Sequence, residues 1–497
     1  MGRARKLIGQ TIWASMGQFV QLVVGLIGLI ILVRILGPET YGLFALGLLF
    51  INLAEVFVGG HAADGVVQKE DLSEAEKTAT YAALMATGGL CASIIIASAG
   101  LVAAVFDAPS LIALLPVMAA LPVLTAAVSV PNQLLVRDLR FAALAKASAT
   151  ASLLAVCVGI FLAVAGYGIW SLLWMELARR AAMLVLVHIA TKWLPGAAFS
   201  RRDLWPMLRF AVRRIENKGL HYISVEALPR GFIGYVLGAE ALGYFAVARR
   251  FLGQLNGVLS GPVSAVSFPA AARLQSSPAL LERLIVSVIR VSTWTFWPAL
   301  LGAIVIAPVL FPIMLGENWG ASIAVMQILA LAALRSPIVG FSTAVLTAFG
   351  AMGDISRVHI AAIVIGAIGC IIGIQFGLIG IAAALAFRQW LLWPVIAFFV
   401  KKRTGFAPLR QVTIMLQAAV PALVMAAAVL SLRLALDGLV APMIELLVLI
   451  ASGVFVYLLA WLAWNGAARA SALEAVTGLL RGDRDAATRS LKAVIAP

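Results

Sequence analysis

A chain of 497 residues that is 63% hydrophobic, 12% charged and of mean hydropathy +1.04 carries more apolar surface than a water-soluble core encloses, since soluble domains run at about 45–50% apolar and about 25% charged. The net charge of +15 raises nucleic acid as a partner, but the basic residues gather in alternate connections between apolar runs, which is the pattern of membrane topology and argues against it. Cys91, Cys157 and Cys370 lie far apart inside apolar runs, so they offer neither a disulfide framework nor a metal-ligand cluster.

A membrane-spanning helix needs about 20 apolar residues. Runs of that kind predict fourteen spans, at 9–33, 42–60, 81–105, 110–130, 144–165, 169–190, 219–237, 242–265, 287–308, 320–345, 357–376, 379–400, 412–432 and 442–464. Arg3, Arg5 and Lys6 precede the first run as in a signal peptide, yet the run is too long for one, so it reads as a retained span. Gly, Pro or a charge marks the short connections, among them Gly37-Pro38-Glu39, Gly166-Tyr167-Gly168, Gly238-Ala239-Glu240 and Gly377-Leu378-Ile379-Gly380. With the N-terminus inside, the inner loops and tails hold most of the 37 Lys and Arg residues, and the outer loops hold Arg34 and Arg433. Both termini are then cytoplasmic.

Two stretches repeat. Leu36–Phe50 reads LGPETYGLFALGLLF and Leu237–Phe251 reads LGAEALGYFAVARRF. Each follows one apolar run and opens the next, and six predicted spans separate them, so both copies have the same orientation. A parallel repeat in a polytopic protein marks a two-lobed transporter. The expected architecture is all-α: a first lobe at 1–190, a basic cytoplasmic linker at 191–218, a second lobe at 219–400, two further spans within 401–465, and a cytoplasmic tail at 466–497. No P-loop is present.

Six segments, in order, carry a resemblance: RILGPETYGLFAL, VPNQLLVRDLRFAALAK, GYGIWSL, LGAEALGYFAVARRF, SFPAAARLQ and LGENWGASIAVMQILALAALRSPI. With these the chain resembles the polysaccharide (O-antigen and exopolysaccharide, Wzx-type) flippases of the multidrug/oligosaccharidyl-lipid/polysaccharide exporter superfamily. The resemblance implies two six-helix lobes around a central cavity, two further helices, and alternating-access export of an undecaprenyl-pyrophosphate-linked oligosaccharide across a bacterial inner membrane. It also implies membrane lipids, a polymerase and a chain-length regulator as partners. Members of this branch often carry an Asn/Asp pair in the seventh span, where this chain has Glu226-Ala227-Leu228-Pro229-Arg230.

A pyrophosphate head calls for cations, and an ionised side chain within hydrocarbon is costly enough to be a functional candidate by default. Arg34, Arg230, Arg249, Arg250 and Arg290 are the candidate pyrophosphate and cavity residues, with Arg335 and Arg388 as further possibilities. Arginine suits the task because its planar fork binds phosphate bidentately and keeps its charge. The plain alternative is that Arg34 and Arg290 snorkel to an interface. Glu55 and Glu226 are candidate carboxylates for a coupling proton or sodium ion, and Glu226 stands four residues before Arg230, within reach of a helical ion pair. Glu176 and Glu445 read as structural, and Asp64, His61 and His221 lie near a predicted membrane boundary. No metal site or other cofactor is expected. The alternatives are a small-molecule or cation antiporter of the same superfamily and, further off, a membrane glycosyltransferase or polymerase, for which Asp483-Arg484-Asp485 is the sole Asp-x-Asp.

Overall fold

The computed structural model describes residues 2–59, 63, 66, 71–196 and 215–466, and every regular element among them is helical. That outcome follows from the solvent: hydrocarbon offers no partner to a peptide group, and a helix satisfies its own. The basic stretch 197–214, the tail 467–497, His61 and Asp64 lie outside the described residues.

In chain order the helices are α1 (Gly2–Val58), α2 (Glu74–Val105), α3 (Leu111–Met118), α4 (Ala120–Arg137), α5 (Phe141–Val164), α6 (Ile169–Thr191), α7 (Leu228–Arg273), α8 (Pro278–Leu315), α9 (Gly320–Ala333), α10 (Ser336–Ala348), α11 (Met352–Gly373), α12 (Gly377–Thr404), α13 (Pro408–Leu436) and α14 (Pro442–Trp464). These labels do not count membrane crossings: α1 is two helices joined at the non-helical Gly37, and α7 is two joined at Gly238. Among the described residues nine stretches are long and apolar enough to cross a membrane, or ten with the pair α9–α10, bent by 51°, taken as one. Three of the nine, Val20–Val58, Ile215–Gly261 and Met352–Thr404, contain a positive-φ break at Gly37, Gly238 and Gly377 respectively. The predicted fourteen is reached only by dividing those three and adding the bent pair and α6, whose Glu176, Arg179 and Arg180 keep it out of the apolar set. Leu101, Phe161, Val164, Phe376 and Phe455 are exposed, as expected of surface that faces lipid.

Packing divides the chain into two compact units. The first comprises Met1–Val247, Met314–Trp319 and Gly366–Leu378. Within it α1 runs along α5, α5 packs on α6, and α4 packs on both α2 and α6. A capping box, Ser73 with Glu76, starts α2. The chain leaving α6 docks there: Trp193 Nε1 donates to Glu74 at 2.9 Å, and the Gly196 amide donates to the Thr78 hydroxyl at 3.0 Å.

The sequence repeat recurs in the backbone of this unit. Gly37 has φ 75°, ψ 172°, and its counterpart Gly238 has φ 81°, ψ −177°. That region is open essentially to glycine alone, so the same residue type makes the same break twice. Five residues on, Gly42 and Gly243 bring the copies together reciprocally. A Cβ on Gly42 would stand 1.7 Å from the Ala239 carbonyl oxygen, and one on Gly243 would stand 2.0 Å from the Pro38 carbonyl oxygen. Pro38 and Ala239 are themselves counterparts, so the contact is self-complementary about a local two-fold. Trp319, buried, closes it, edge-on to Tyr41 at 6.2 Å and to Tyr244 at 5.9 Å. A further match, Tyr167-Gly168-Ile169 with Phe376-Gly377-Leu378, shows at the backbone level, where Gly168 (φ 53°) and Gly377 (φ 64°) both open a helix with positive φ.

The second unit comprises Ala248–Ile313, Gly320–Ile365 and Ile379–Pro497. Here α13 and α14 form an antiparallel pair fastened to α8: the Tyr457 hydroxyl donates to the Trp294 carbonyl at 2.6 Å, Trp461 meets Trp294 edge-on at 5.5 Å, and Arg433 donates to the Val305 carbonyl at 2.7 Å. Asp354 holds Arg357 and Arg403 at 3.2 Å each, tying α11 to the basic end of α12.

The reciprocal glycine contact makes a prediction. Gly42→Ala and Gly243→Ala should each cost about 1–3 kcal/mol, the usual penalty of overpacking. Thermal unfolding in detergent should register a lower midpoint for both, while Gly253→Ala, whose Cβ meets nothing within 4 Å, serves as the neutral control. A midpoint unmoved by Gly42→Ala would refute the contact.

Candidate functional site

Charged side chains inside the helices are arranged in local groups, each built by a distortion or a helix crossing. The first lies at the entry to α7. Pro229 has no amide hydrogen, and its ring clashes with the carbonyl four residues back. The chain answers with a π-helical turn, Ile223–Ala227, in which the Leu228 amide reaches back to the Ile223 carbonyl. Glu226 sits in that wider turn and pairs with Arg230 at 2.7 Å, both side chains largely buried. One turn earlier the Tyr222 hydroxyl donates to the Leu49 carbonyl of α1 at 2.7 Å, where the charges of Arg230, Glu226 and Glu55 all act on it.

The second group joins α1, α4 and α6. Arg180 forms an ion pair with Glu55 and donates to the Thr125 hydroxyl, which itself stands 3.1 Å from the Glu55 carboxylate. Arg180 also lies 3.9 Å from Glu176, which holds Arg179 at 2.6 Å. Two acids and two arginines thus cancel within one patch of α1 and α6. Glu55 and Glu226, the two candidate coupling carboxylates, are each held by an arginine.

The second unit carries the remaining cations. Arg249 and Arg250 are half-buried on α7. Arg249 heads a four-residue spacing, continued by Gly253, Gly257 and Gly261, that places all four on one helix face. The three glycines are exposed, and nothing among the described residues lies within 4 Å of where their Cβ atoms would be. Beside them the buried Asn256 carboxamide oxygen has no hydrogen-bond partner among the described residues. Arg290 is exposed on α8, and Arg34 is exposed on α1 just ahead of the Gly37 break. Arg335 occupies the break between α9 and α10, and its Nε and Nη2 donate to Gln389 Oε1 at 3.3 and 2.6 Å. Arg388, buried, donates to the Ala362 carbonyl at 3.2 Å.

Of the predicted residues, Glu226 and Arg230 are brought together, and Glu55 pairs instead with Arg180. The five candidate arginines are divided: Arg34 and Arg230 belong to the first unit, and Arg249, Arg250 and Arg290 to the second. Sequence reasoning missed Arg179, Arg180 and Thr125. The signal was available as Glu176-x-x-Arg179-Arg180, an i,i+3/i+4 acid–base cluster in mid-run. It also missed Gln389, a neutral residue that carries no charge signal. Among the described residues no three His, Cys, Asp or Glu side chains cluster as metal ligands.

With this geometry in hand, comparison with known proteins is informative. Residues 31–324 match a family described as "Polysaccharide biosynthesis protein". Lipopolysaccharide biosynthesis protein WzxC of Escherichia coli (strain K12) is 25% identical over 350 residues, which are 67% of this chain and 68% of that protein. Succinoglycan biosynthesis transport protein ExoT of Rhizobium meliloti (strain 1021) is 26% identical over 302 residues, 61% of each. The fold is shared with lipid II flippase MurJ in an inward closed conformation, at a TM-score of 0.74 and 14% identity, over 90% of this chain and 98% of that one. The molecule is therefore a multi-pass helical membrane protein with the MurJ fold. The chain belongs to the polysaccharide biosynthesis protein family, as the six sequence segments led one to expect.

The Glu55–Arg180 pair is open to a mutant cycle. Removing one partner of a buried pair strands the other charge, at about 3–5 kcal/mol. Glu55→Gln and Arg180→Gln should each lower the thermal midpoint, Arg180→Gln more so because it also removes the donor to the Thr125 hydroxyl. The double variant should recover about 1–3 kcal/mol relative to the sum. Strict additivity would mean that the two groups do not interact.

Proposed function

We propose that this protein flips a polyisoprenoid-diphosphate-linked oligosaccharide repeat unit from the cytoplasmic to the outer leaflet of a bacterial inner membrane, supplying export of a surface polysaccharide. The observation that carries this reading is the family match over residues 31–324 within a MurJ-type fold. WzxC and ExoT are named for polysaccharide biosynthesis and transport, and MurJ for flipping a lipid-linked precursor. The work is transport by alternating exposure, with no bond made or broken. The distribution of Lys and Arg supports a cytoplasmic position for both termini in this reading. The product emerges where a polymerase and a chain-length regulator would take it up.

Three requirements follow from the cargo: cations for the diphosphate, polar walls for sugars, and contact with lipid for the tail. Arg249 and Arg250 at the head of the open glycine face suit the first two. The guanidinium takes the phosphate oxygens, and the bare helix face with Asn256 leaves room for a sugar chain. Arg230 and the exposed Arg34 and Arg290 extend the cationic set. Glu55 and Glu226 are the coupling groups in this reading. A proton or sodium ion taken up by Glu226 weakens its hold on Arg230 and frees a guanidinium for the incoming anion. The same logic links Glu55 to Arg180.

The test is reconstituted translocation. Proteoliposomes loaded with a fluorescent polyisoprenyl-diphosphate glycan should show protein-dependent exposure at the opposite leaflet, faster with an imposed proton or sodium gradient. Arg249→Ala with Arg250→Ala should lower the rate at least tenfold at equal protein level, and Gly257→Leu, which fills the open face, should do the same without lowering the thermal midpoint. Transport of cationic dyes with no glycan movement would replace this reading with that of a drug antiporter.

A further inference from the structure

The start of α11 and the end of α12 meet around one buried acid. Gly350, at φ 68°, turns the chain after α10, and α11 begins behind it. Asp354 falls in the first turn of α11, where the positive end of the helix dipole favours a carboxylate. Ile355, Ile396 and Val400 pack in one cluster and bring the end of α12 against that turn. Asp354 is buried and takes one hydrogen bond from each of two arginines, Arg357 Nη1 to Oδ1 and Arg403 Nη2 to Oδ2, both at 3.2 Å. Both donors reach the same carboxylate, which fixes two guanidiniums from different helices beside it.

The acid leaves most of the donors over. A guanidinium has five N–H groups, and among the described residues each of these two directs one of them to Asp354. The Arg357 side chain is 72% exposed and that of Arg403 40%, against 8% for Asp354. A buried acid thus positions two exposed forks and cancels the charge of one. Lys401 and Lys402, exposed in the same last turn of α12, add to the surplus, while Arg410 is paired with Glu282 instead.

Apolar surface leads away from these cations. On α12, Lys402, Phe398, Val395 and Leu391 recur at helical spacing on one face, and all are exposed. On α11, Arg357, Ile360 and Val364 do the same. Each stripe begins with a cation and continues as hydrocarbon. A ligand that fits both has a phosphate at one end and acyl chains behind it. Inorganic phosphate meets the first condition alone, and an uncharged lipid the second alone. The charges also stand at helix ends, where a phospholipid carries its phosphate.

We propose that Asp354, Arg357, Lys402 and Arg403 form an interfacial site for the phosphate of an anionic phospholipid, whose acyl chains lie along the exposed faces of α11 and α12. The guanidinium forks take the phosphate oxygens and Lys402 adds a point charge. Asp354 is a positioning residue that holds both forks without touching the lipid. Basic pockets between transmembrane helices recognise anionic head groups by this chemistry. The site shares no residue with the cargo cations and stands whether or not the protein is a flippase.

The full chain, purified in an uncharged maltoside detergent, is titrated with phosphatidylglycerol and in parallel with phosphatidylcholine, and bound lipid is counted by native mass spectrometry. One phosphatidylglycerol is expected to bind in preference to phosphatidylcholine and to raise the thermal midpoint. Arg357→Gln leaves Arg403 on Asp354, so the helix ends stay joined. It should weaken phosphatidylglycerol about fivefold, the effect of one basic residue near an anionic surface. Lys402→Gln added to it should bring the loss to about 25-fold, the two charges acting independently. Asp354→Asn keeps every cation but loosens their placement, so binding should fall although the local positive charge rises; tighter binding would refute the positioning role. Lys192→Gln removes an exposed charge of the first unit and should leave binding unchanged. Equal losses in Lys192→Gln and Arg357→Gln overturn the site, because overall charge then accounts for the binding. Phosphatidylcholine binding as tightly as phosphatidylglycerol overturns it as well. Displacement of the phospholipid by an equal concentration of inorganic phosphate or of farnesyl diphosphate overturns the phospholipid assignment, in favour of a free phosphate or of the cargo respectively.

Discussion

Hydrocarbon solvates neither a peptide group nor an ion, and that constraint shapes most of this molecule. Peptide groups are satisfied by helix in every regular element among the described residues. Where a helix is interrupted, a polar side chain stands at the break or beside it: Glu226 in the π turn forced by Pro229, and Arg335 between α9 and α10. Interruption and charge go together because each makes the other tolerable. A broken ladder frees carbonyls that can take a guanidinium, and a guanidinium settles carbonyls that lipid would leave bare. Gln327, whose Nε2 donates at 2.8 Å to the Ile304 carbonyl that Pro308 leaves without a helical partner, follows the same rule.

Ion pairs recur in both units. In the first, Glu55, Glu176 and Glu226 are each matched by an arginine, so their charges cancel. In the second, Asp354 holds Arg357 and Arg403, while Arg335 donates to the neutral side-chain amide of Gln389. A cancelled network suits a switch, because one added proton or sodium ion unbalances it.

Much of the fold was legible in the sequence. Apolar run length and positive-residue placement are strong signals, and the repeat at Leu36 and Leu237 proved to be a repeat of backbone conformation at Gly37 and Gly238. The contact between the copies was not legible. A sequence records that Gly42 and Gly243 are small, but not that each carries the other copy's carbonyl against it. The span count was only partly legible, since a kink made by a single glycine, as at Gly37 and Gly238, separates two helices with no loop between them. The site was legible as a list of charges and illegible as pairs. Glu226 with Arg230 follows from a four-residue spacing, whereas Glu55 with Arg180 joins helices 125 positions apart and follows only from how α1 meets α6.

The sign of the interior charges bears on which member of this fold class the chain resembles in its work. A transporter of cationic drugs needs acids that remain available, because a carboxylate already bonded to arginine offers little to a cation. Here the candidate acids Glu55 and Glu226 are both engaged by guanidiniums. The partner's identity matters as well: a buried lysine can shed its proton and its charge together, and an arginine keeps both, so Arg180 and Arg230 stay charged whatever the protonation state of Glu55 or Glu226.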